Sequence, residues 1–259
     1  GGWEYLLTQT RVILTYLRLL AWPVGQNLDH DFPLSKSLLE LPALGASLTL
    51  LVAGGAALGG CLWARRRAGN PAIAVRLAGV GLLWFLLVLA PSSSFIPILD
   101  VINEHRVYLA AWGILLAAVG LATLLVRRSR MPALGPALAI VACGTLGLAT
   151  WSRNHVWATQ IALWEDVVSK SPLKPRAHLQ LGEAYGNKNE FERANASYRR
   201  CLQLQPDRPD PRAIAGLGDV LIRQQRPLEA AQLLAQANVP GLGPFAAGIR
   251  ASLAIADAV

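Results

Sequence analysis

The sequence predicts an all-α protein in two parts, a polytopic helical membrane domain followed by a helical-repeat domain. Three observations carry this. Only 15% of the 259 residues are charged and 53% are hydrophobic, whereas an ordinary soluble domain is about 25% charged. The hydrophobicity is uneven, with the long apolar runs confined to residues 1–152. Residues 153–259 contain a 34-residue pattern that recurs, the mark of stacked helical units.

The first segment, 3–22, reads as an amphipathic helix. Glu4, Thr8, Arg11, Thr15 and Arg18 recur every three to four residues, with Leu6, Ile13, Leu17 and Leu20 opposite, and Pro23 ends the run. Such a helix is expected to lie in the membrane interface rather than cross it. The loop that follows contains Asp29, His30 and Asp31 in succession. These are a candidate acceptor or loop site, weighed against plain solvated charge. Neighbours in sequence rarely converge on one ion without a third partner, so they assign no metal site.

Four spans come next, at 41–64, 71–90, 107–126 and 131–152, with Arg76 their one charge. Each is long enough to cross roughly 30 Å of hydrocarbon as a helix. Gly54, Gly55, Gly59, Gly60, Gly79 and Gly81 suit close helix–helix packing. The connections around 65–76 and 127–131 hold seven arginines and no acid, including the clusters Arg65, Arg66, Arg67 and Arg127, Arg128, Arg130. The positive-inside rule puts both in the cytoplasm. Residues 1–40, the 91–106 loop and everything beyond 152 are then expected outside. Much of the net charge of +8 sits in these two clusters, which argues against nucleic acid as a partner. Cys61, Cys143 and Cys201 have no paired or metal-ligand spacing and read as small buried residues.

The loop PSSSFIPILDVINEHRVYLA (91–110) concentrates charge where the rest of the membrane domain has little: Asp100, Glu104, His105 and Arg106. Arginine suits a phosphate because its planar fork donates two hydrogen bonds. Arg106 would sit at headgroup depth, just before a span. His105 adds a second donor, and Glu104 is placed to orient Arg106 or a substrate hydroxyl. Arg11 on the first helix is a further phosphate candidate. The alternative is a Glu104–Arg106 ion pair that pins the loop. Tyr108 and Trp112 read as interfacial anchors.

The tail, 153–259, reads as a half repeat over 154–172, repeats at about 174–207 and 210–243, and a cap over 244–259. A single helix over 154–169 is expected to lead from the last span into the stack. In the first full repeat, Leu181, Gly182 and Tyr185 mark one helix, Ala194, Tyr198 and Cys201 the next, and Pro206 the end. Gly218 and Ala230 repeat the Gly182–Ala194 spacing, alongside Leu217, Leu221, Leu234 and Ala237, and Trp164 and Pro172 stand where Tyr198 and Pro206 stand. This is the tetratricopeptide-repeat (TPR) pattern, whose groove takes an extended peptide or partner helix. His155 and His178 are ordinary repeat or linker residues. No Ser-His-Asp, HExxH, P-loop or Gly-rich nucleotide signature is present.

Taken together, YLLTQTRVILTYLRLLAWPVGQNLDHDFPLS, the 91–110 loop and WSRNHVWATQIALWEDVVSKSP leading into TPRs resemble bacterial relatives of the transmembrane and tetratricopeptide-repeat O-mannosyltransferases, in the GT-C superfamily. The resemblance implies an integral-membrane glycosyltransferase of the bacterial inner membrane. Its donor is a lipid-linked polyprenyl-phosphate sugar, its acceptors are protein Ser/Thr hydroxyls, and membrane lipid surrounds it. No other cofactor is assigned. The family keeps an acidic residue in the first extracytoplasmic loop that nothing here matches, and the chain opens Gly-Gly-Trp in mid-pattern. We therefore expect the C-terminal half of an enzyme. Competing readings are a non-catalytic membrane-anchored TPR adaptor and an O-antigen-ligase-like glycan transferase.

Overall fold

The computed structural model describes residues 1–98, 100–129, 131 and 133–236. Among these residues there are ten α-helices, one 3-10 turn and no strand. Contacts divide the chain after Trp151.

The first unit contains α1 (Gly2–Ala21), α2 (Leu41–Arg65), α3 (Asn70–Leu89) and α4 (Val107–Ser129), and most of α5 (Leu134–Val156). The helices α2 to α5 are each long and apolar enough to cross a membrane. Their sequences explain their limits. Pro42 and Pro71 occupy first-turn positions of α2 and α3, where a missing N–H costs nothing. Arginines close α2 (Arg65) and α4 (Arg127, Arg128), favourable against the negative ends of the helix dipoles. Asn70 accepts hydrogen bonds from the Arg127 guanidinium at 2.7 and 2.9 Å. The start of α3 and the end of α4 thus share one arginine-rich end of the unit.

Between α3 and α4 the backbones touch through small residues. A Cβ on Gly113 would meet the Gly81 carbonyl oxygen, and one on Gly120 would lie 2.6 Å from the Ala74 oxygen and 2.8 Å from the Ala78 nitrogen. The spacing Gly113–Ala117–Gly120 puts all three on one stripe of α4. On the α2 side, a Cβ on Gly79 would lie 2.5 Å from the Cys61 sulfur. In lipid there is little hydrophobic drive to bring helices together, so such close van der Waals packing supplies much of the attraction. The expectation for the glycines of α2 needs correction. Gly60 and Gly54 approach Val75 and Leu86, but Gly55 and Gly59 face open space. No residue of α5 is buried.

The second unit contains α6 (Gln160–Lys170), α7 (Pro175–Asn187), α8 (Phe191–Leu204), α9 (Pro211–Arg223) and α10 (Pro227–Gln236). The expected continuous helix over 154–169 does not form. The chain leaves α5 through bonds from Trp157 to Asn154 and from Ala158 to His155, one residue too short for an α-helix. Thr159 then caps α6, its hydroxyl accepting from the Ala162 N–H at 3.1 Å. Leu181, Tyr185, Ala194, Tyr198, Cys201 and Ala230 all lie in one buried core with Leu217 and Leu221. Gly218 is buried in α9, and Pro206 follows α8 in an exposed turn. Gly182 lets the Tyr198 ring approach, since a Cβ there would lie 2.8 Å from it. His178 is tied to the Pro172 carbonyl at 2.9 Å. Arg130, Ala237, the Leu234 side chain and the expected cap, 244–259, lie outside what the structure describes.

Asp166 anchors the entry to this unit, accepting from Arg153 at 2.7 Å and from Lys170 at 2.6 Å. Burial alone would raise its carboxyl pKa, but the hydrogen bonds from Lys170 and Arg153 outweigh burial and hold it below the usual 3.8. A lowered folded-state pKa means that the pair stabilises the fold above the ordinary carboxylate range. That contribution is lost as pH falls through the folded value. Thermal melts between about pH 6 and pH 3 will therefore show a steeper acid loss in the wild type than in Asp166→Asn. In the membrane unit, Gly120→Val will lower the melting temperature in detergent, because overpacking costs about 1–3 kcal/mol. Gly55→Ala, with nothing within 4 Å of the new methyl, will not lower it.

Candidate functional site

The polar groups of the membrane unit gather where α1 meets two loops, residues 22–40 and 90–106. The buried face of α1 is Tyr5, Thr8, Gln9, Val12, Tyr16 and Leu19, a helical stripe that mixes apolar and hydrogen-bonding side chains. Thr8 therefore belongs to the buried face, not to the solvated stripe expected for it. Each buried polar group has a backbone partner. Tyr5 donates to the Ser92 carbonyl at 2.8 Å, and the Gln9 amide donates to the Val101 carbonyl at 2.8 Å. Ser93 donates to the Gln9 side-chain oxygen at 3.1 Å. Tyr16 donates to the Asn103 carbonyl at 3.0 Å and accepts from the Asn103 N–H at 2.9 Å. Burial raises the Tyr16 phenol pKa, and the Asn103 bond only partly offsets it.

The other loop is held from the same helix. The Ser35 N–H donates to the Thr8 hydroxyl at 2.8 Å. Arg11 donates to the Pro33 carbonyl at 3.0 Å and the Ser35 hydroxyl at 2.9 Å, and its guanidinium lies 5.0 Å from the Phe32 ring centre. The phosphate candidate on α1 is thus engaged in holding 32–35. Asn27 and Asp29 close a local turn, the Asn27 amide donating to the Asp29 carbonyl at 3.2 Å.

Glu104 joins the loops. It accepts from the Asn27 N–H at 2.7 Å and pairs with His30 Nε2 at 2.8 Å. The alternative, a Glu104–Arg106 ion pair pinning the loop, does not form; Glu104 is taken up by His30 and Asn27 instead. Arg106 donates through Nη2 to the Asp100 carbonyl at 3.0 Å, while its Nη1 is buried with no hydrogen-bond partner among the described residues. His105 is exposed between them. Of the three consecutive loop residues, Asp29 is buried, His30 reaches Glu104 and Asp31 is exposed. Among the described residues, no three His, Cys, Asp or Glu side chains stand close enough to hold a metal ion. Tyr108 and Trp112 are exposed on α4.

A cavity of about 140 Å³ lies beside Glu104, lined also by Tyr16, Gln26, Val107 and Tyr108. It has room for several waters but is below the roughly 300 Å³ of a typical small-molecule pocket. What the cluster offers chemically is one carboxylate already engaged by an imidazole, one arginine with an unused buried N–H, and an exposed imidazole. The reading from sequence missed Tyr5, Gln9, Tyr16 and Asn27. Their signal was the i, i+4, i+11 spacing of Tyr5, Gln9 and Tyr16, polar-tipped residues on what had to be one face.

Comparison with known families matches residues 175–208 to the tetratricopeptide repeat. No curated protein and no solved structure matches the chain. The chain thus carries a TPR and four helices that could span a membrane.

Tyr16→Phe tests the junction directly. It keeps the ring but strips both hydrogen bonds from the Asn103 backbone, and will lower stability by about 1–3 kcal/mol in thermal melts. Tyr108→Phe, on an exposed side chain, will not.

Proposed function

We propose that this chain belongs to an integral-membrane glycosyltransferase. It would transfer a sugar from a polyprenyl-phosphate donor to protein Ser/Thr hydroxyls on the extracytoplasmic side, with the TPR unit engaging the acceptor or a partner protein. The observation that carries this reading is the Arg106 Nη1 group, buried and without a hydrogen-bond partner among the described residues. An orphaned donor of this kind costs about 1–3 kcal/mol, more on a charged group. A phosphate oxygen satisfies it with a charge-assisted bond. Asp100 orients the guanidinium through its carbonyl, and His105, exposed one residue away, supplies a second donor. Glu104 acts as a positioning residue, since His30 and Asn27 already hold it.

The arginine asymmetry of the spans supports the orientation. The Arg65 and Arg127 ends would face the cytoplasm, and the junction around Arg106 the other side. No residue of this chain is assigned as the base that takes the hydroxyl proton. The His30–Glu104–Asn27 cluster favours a second reading, a membrane-anchored TPR adaptor in which that cluster only pins two loops.

Transfer of a radiolabelled sugar from a polyprenyl-phosphate donor by the full-length protein separates the two. Under the first reading Arg106→Ala lowers transfer at least 100-fold with insertion and melting intact, and Arg106→Lys restores part of it. Full transfer by Arg106→Ala removes Arg106 from the donor site. No transfer by the wild type favours the adaptor.

A further inference from the structure

Tyr198 of the TPR unit is buried at its ring and unfinished at its tip. The ring is threaded between two helices: a Cβ on Gly182 would lie 2.8 Å from it, and one on Gly216 only 2.7 Å from the hydroxyl. The residue is 4% exposed. Its hydroxyl emerges at the cleft between α7 and α9, which Tyr198 lines together with Glu183, Asn187, Asp219 and Arg223. The cleft encloses about 480 Å³. Among the described residues, nothing forms a hydrogen bond with that hydroxyl, although the polar groups beside it are occupied. Glu183 accepts from Gln180 at 2.8 Å, and Asp219 accepts from Arg223 at 2.8 Å. Arg223 also lies over the Phe191 ring, 5.9 Å from its centre.

The charges around the hydroxyl do not balance. In the lining of the cleft two carboxylates face one guanidinium, Arg223, which pairs with Asp219; Arg212, outside the lining, also acts on Glu183 but is itself paired with Asp210 at 3.0 Å. Burial raises the Tyr198 phenol pKa, and Glu183 and Asp219 both push it the same way, so both negative charges act on this one oxygen. A cation placed there gains two carboxylates and a hydroxyl acceptor. An anion would meet net repulsion. A sugar would want the face of an aromatic ring, and the Tyr198 ring is closed off between Gly182 and Gly216.

We propose that this cleft receives the ammonium or guanidinium of a Lys or Arg side chain on an extended peptide, with Glu183 and Asp219 as charge partners and the Tyr198 hydroxyl accepting one N–H. Asn187 and Asn189, on the same cleft, are placed to bond the peptide backbone. The inference rests on the TPR as a protein-binding unit and is separate from the transferase reading, because its test contains no sugar donor.

The test uses the whole chain in detergent micelles, immobilised, and four nonapeptide libraries. Their central residue is Lys, Arg, Gln or Glu, and the other eight positions are degenerate but lack Lys and Arg. The wild type should retain the Lys and Arg libraries at least fivefold over Gln, and Glu least. Glu183→Gln and Asp219→Asn should each cut that preference several-fold. Tyr198→Phe, which keeps the ring, should cut it by a smaller factor with its melting temperature unchanged. Equal retention of all four libraries, including no retention of any, overturns the proposal. So does a Lys/Arg preference that survives in all three variants.

Discussion

The membrane unit depends on α1 bonding to the backbone of a loop it does not adjoin in sequence. Tyr5, Gln9 and Tyr16 hold Ser92, Val101 and Asn103, and Ser93 returns a bond to Gln9. A loop rich in proline and serine has few N–H and C=O groups paired within itself, and unpaired groups are costly where water is scarce. The side chains of α1 satisfy them. The same helix uses Thr8 and Arg11 to hold the other loop, and Glu104 then reaches His30. Were α1 purely apolar on its buried face, neither loop would have a fixed path, and Arg106 would have no fixed position.

The two units solve helix packing in opposite ways. Between α3 and α4, residues shrink until backbones touch, because in lipid close van der Waals contact is the main attraction available. In the TPR unit one large ring is passed between glycines of neighbouring helices, because in water burying an aromatic surface is itself favourable. Glycine serves both, once to bring main chains together and once to make room for a side chain.

How much of this could be read in the sequence follows from the range of each interaction. Length and apolarity are local, so the four spans were legible, and the spacing of Gly182, Ala194 and Tyr198 made the repeat legible. Thr159 is an N-cap residue by type, and it stops the expected 154–169 helix, but its hydroxyl counts as a stop only once the preceding turn has tightened. By composition Gly55 and Gly59 look as suited to packing as Gly113 and Gly120, because composition does not say which stripe of a helix meets a neighbour. The candidate site was legible in its residues but not in its pairings. Sequence proximity suggests Arg106, two positions away, as a partner for Glu104, whereas its partners are His30 and Asn27, 74 and 77 residues away.

These long separations bear on how the protein is made. Tyr16 and Asn103 lie 87 residues apart, and Gln9 and Val101 lie 92 apart. In the order of synthesis α1 comes before these partners by the whole length of α2 and α3. Until the loop after α3 is made, Gln9 and Tyr16 lack the backbone partners that they bond in the folded unit. A helix whose polar side chains lack partners is costly to bury in apolar surroundings before that loop has been made. The same residues that finish the junction also keep its first component from being buried too early.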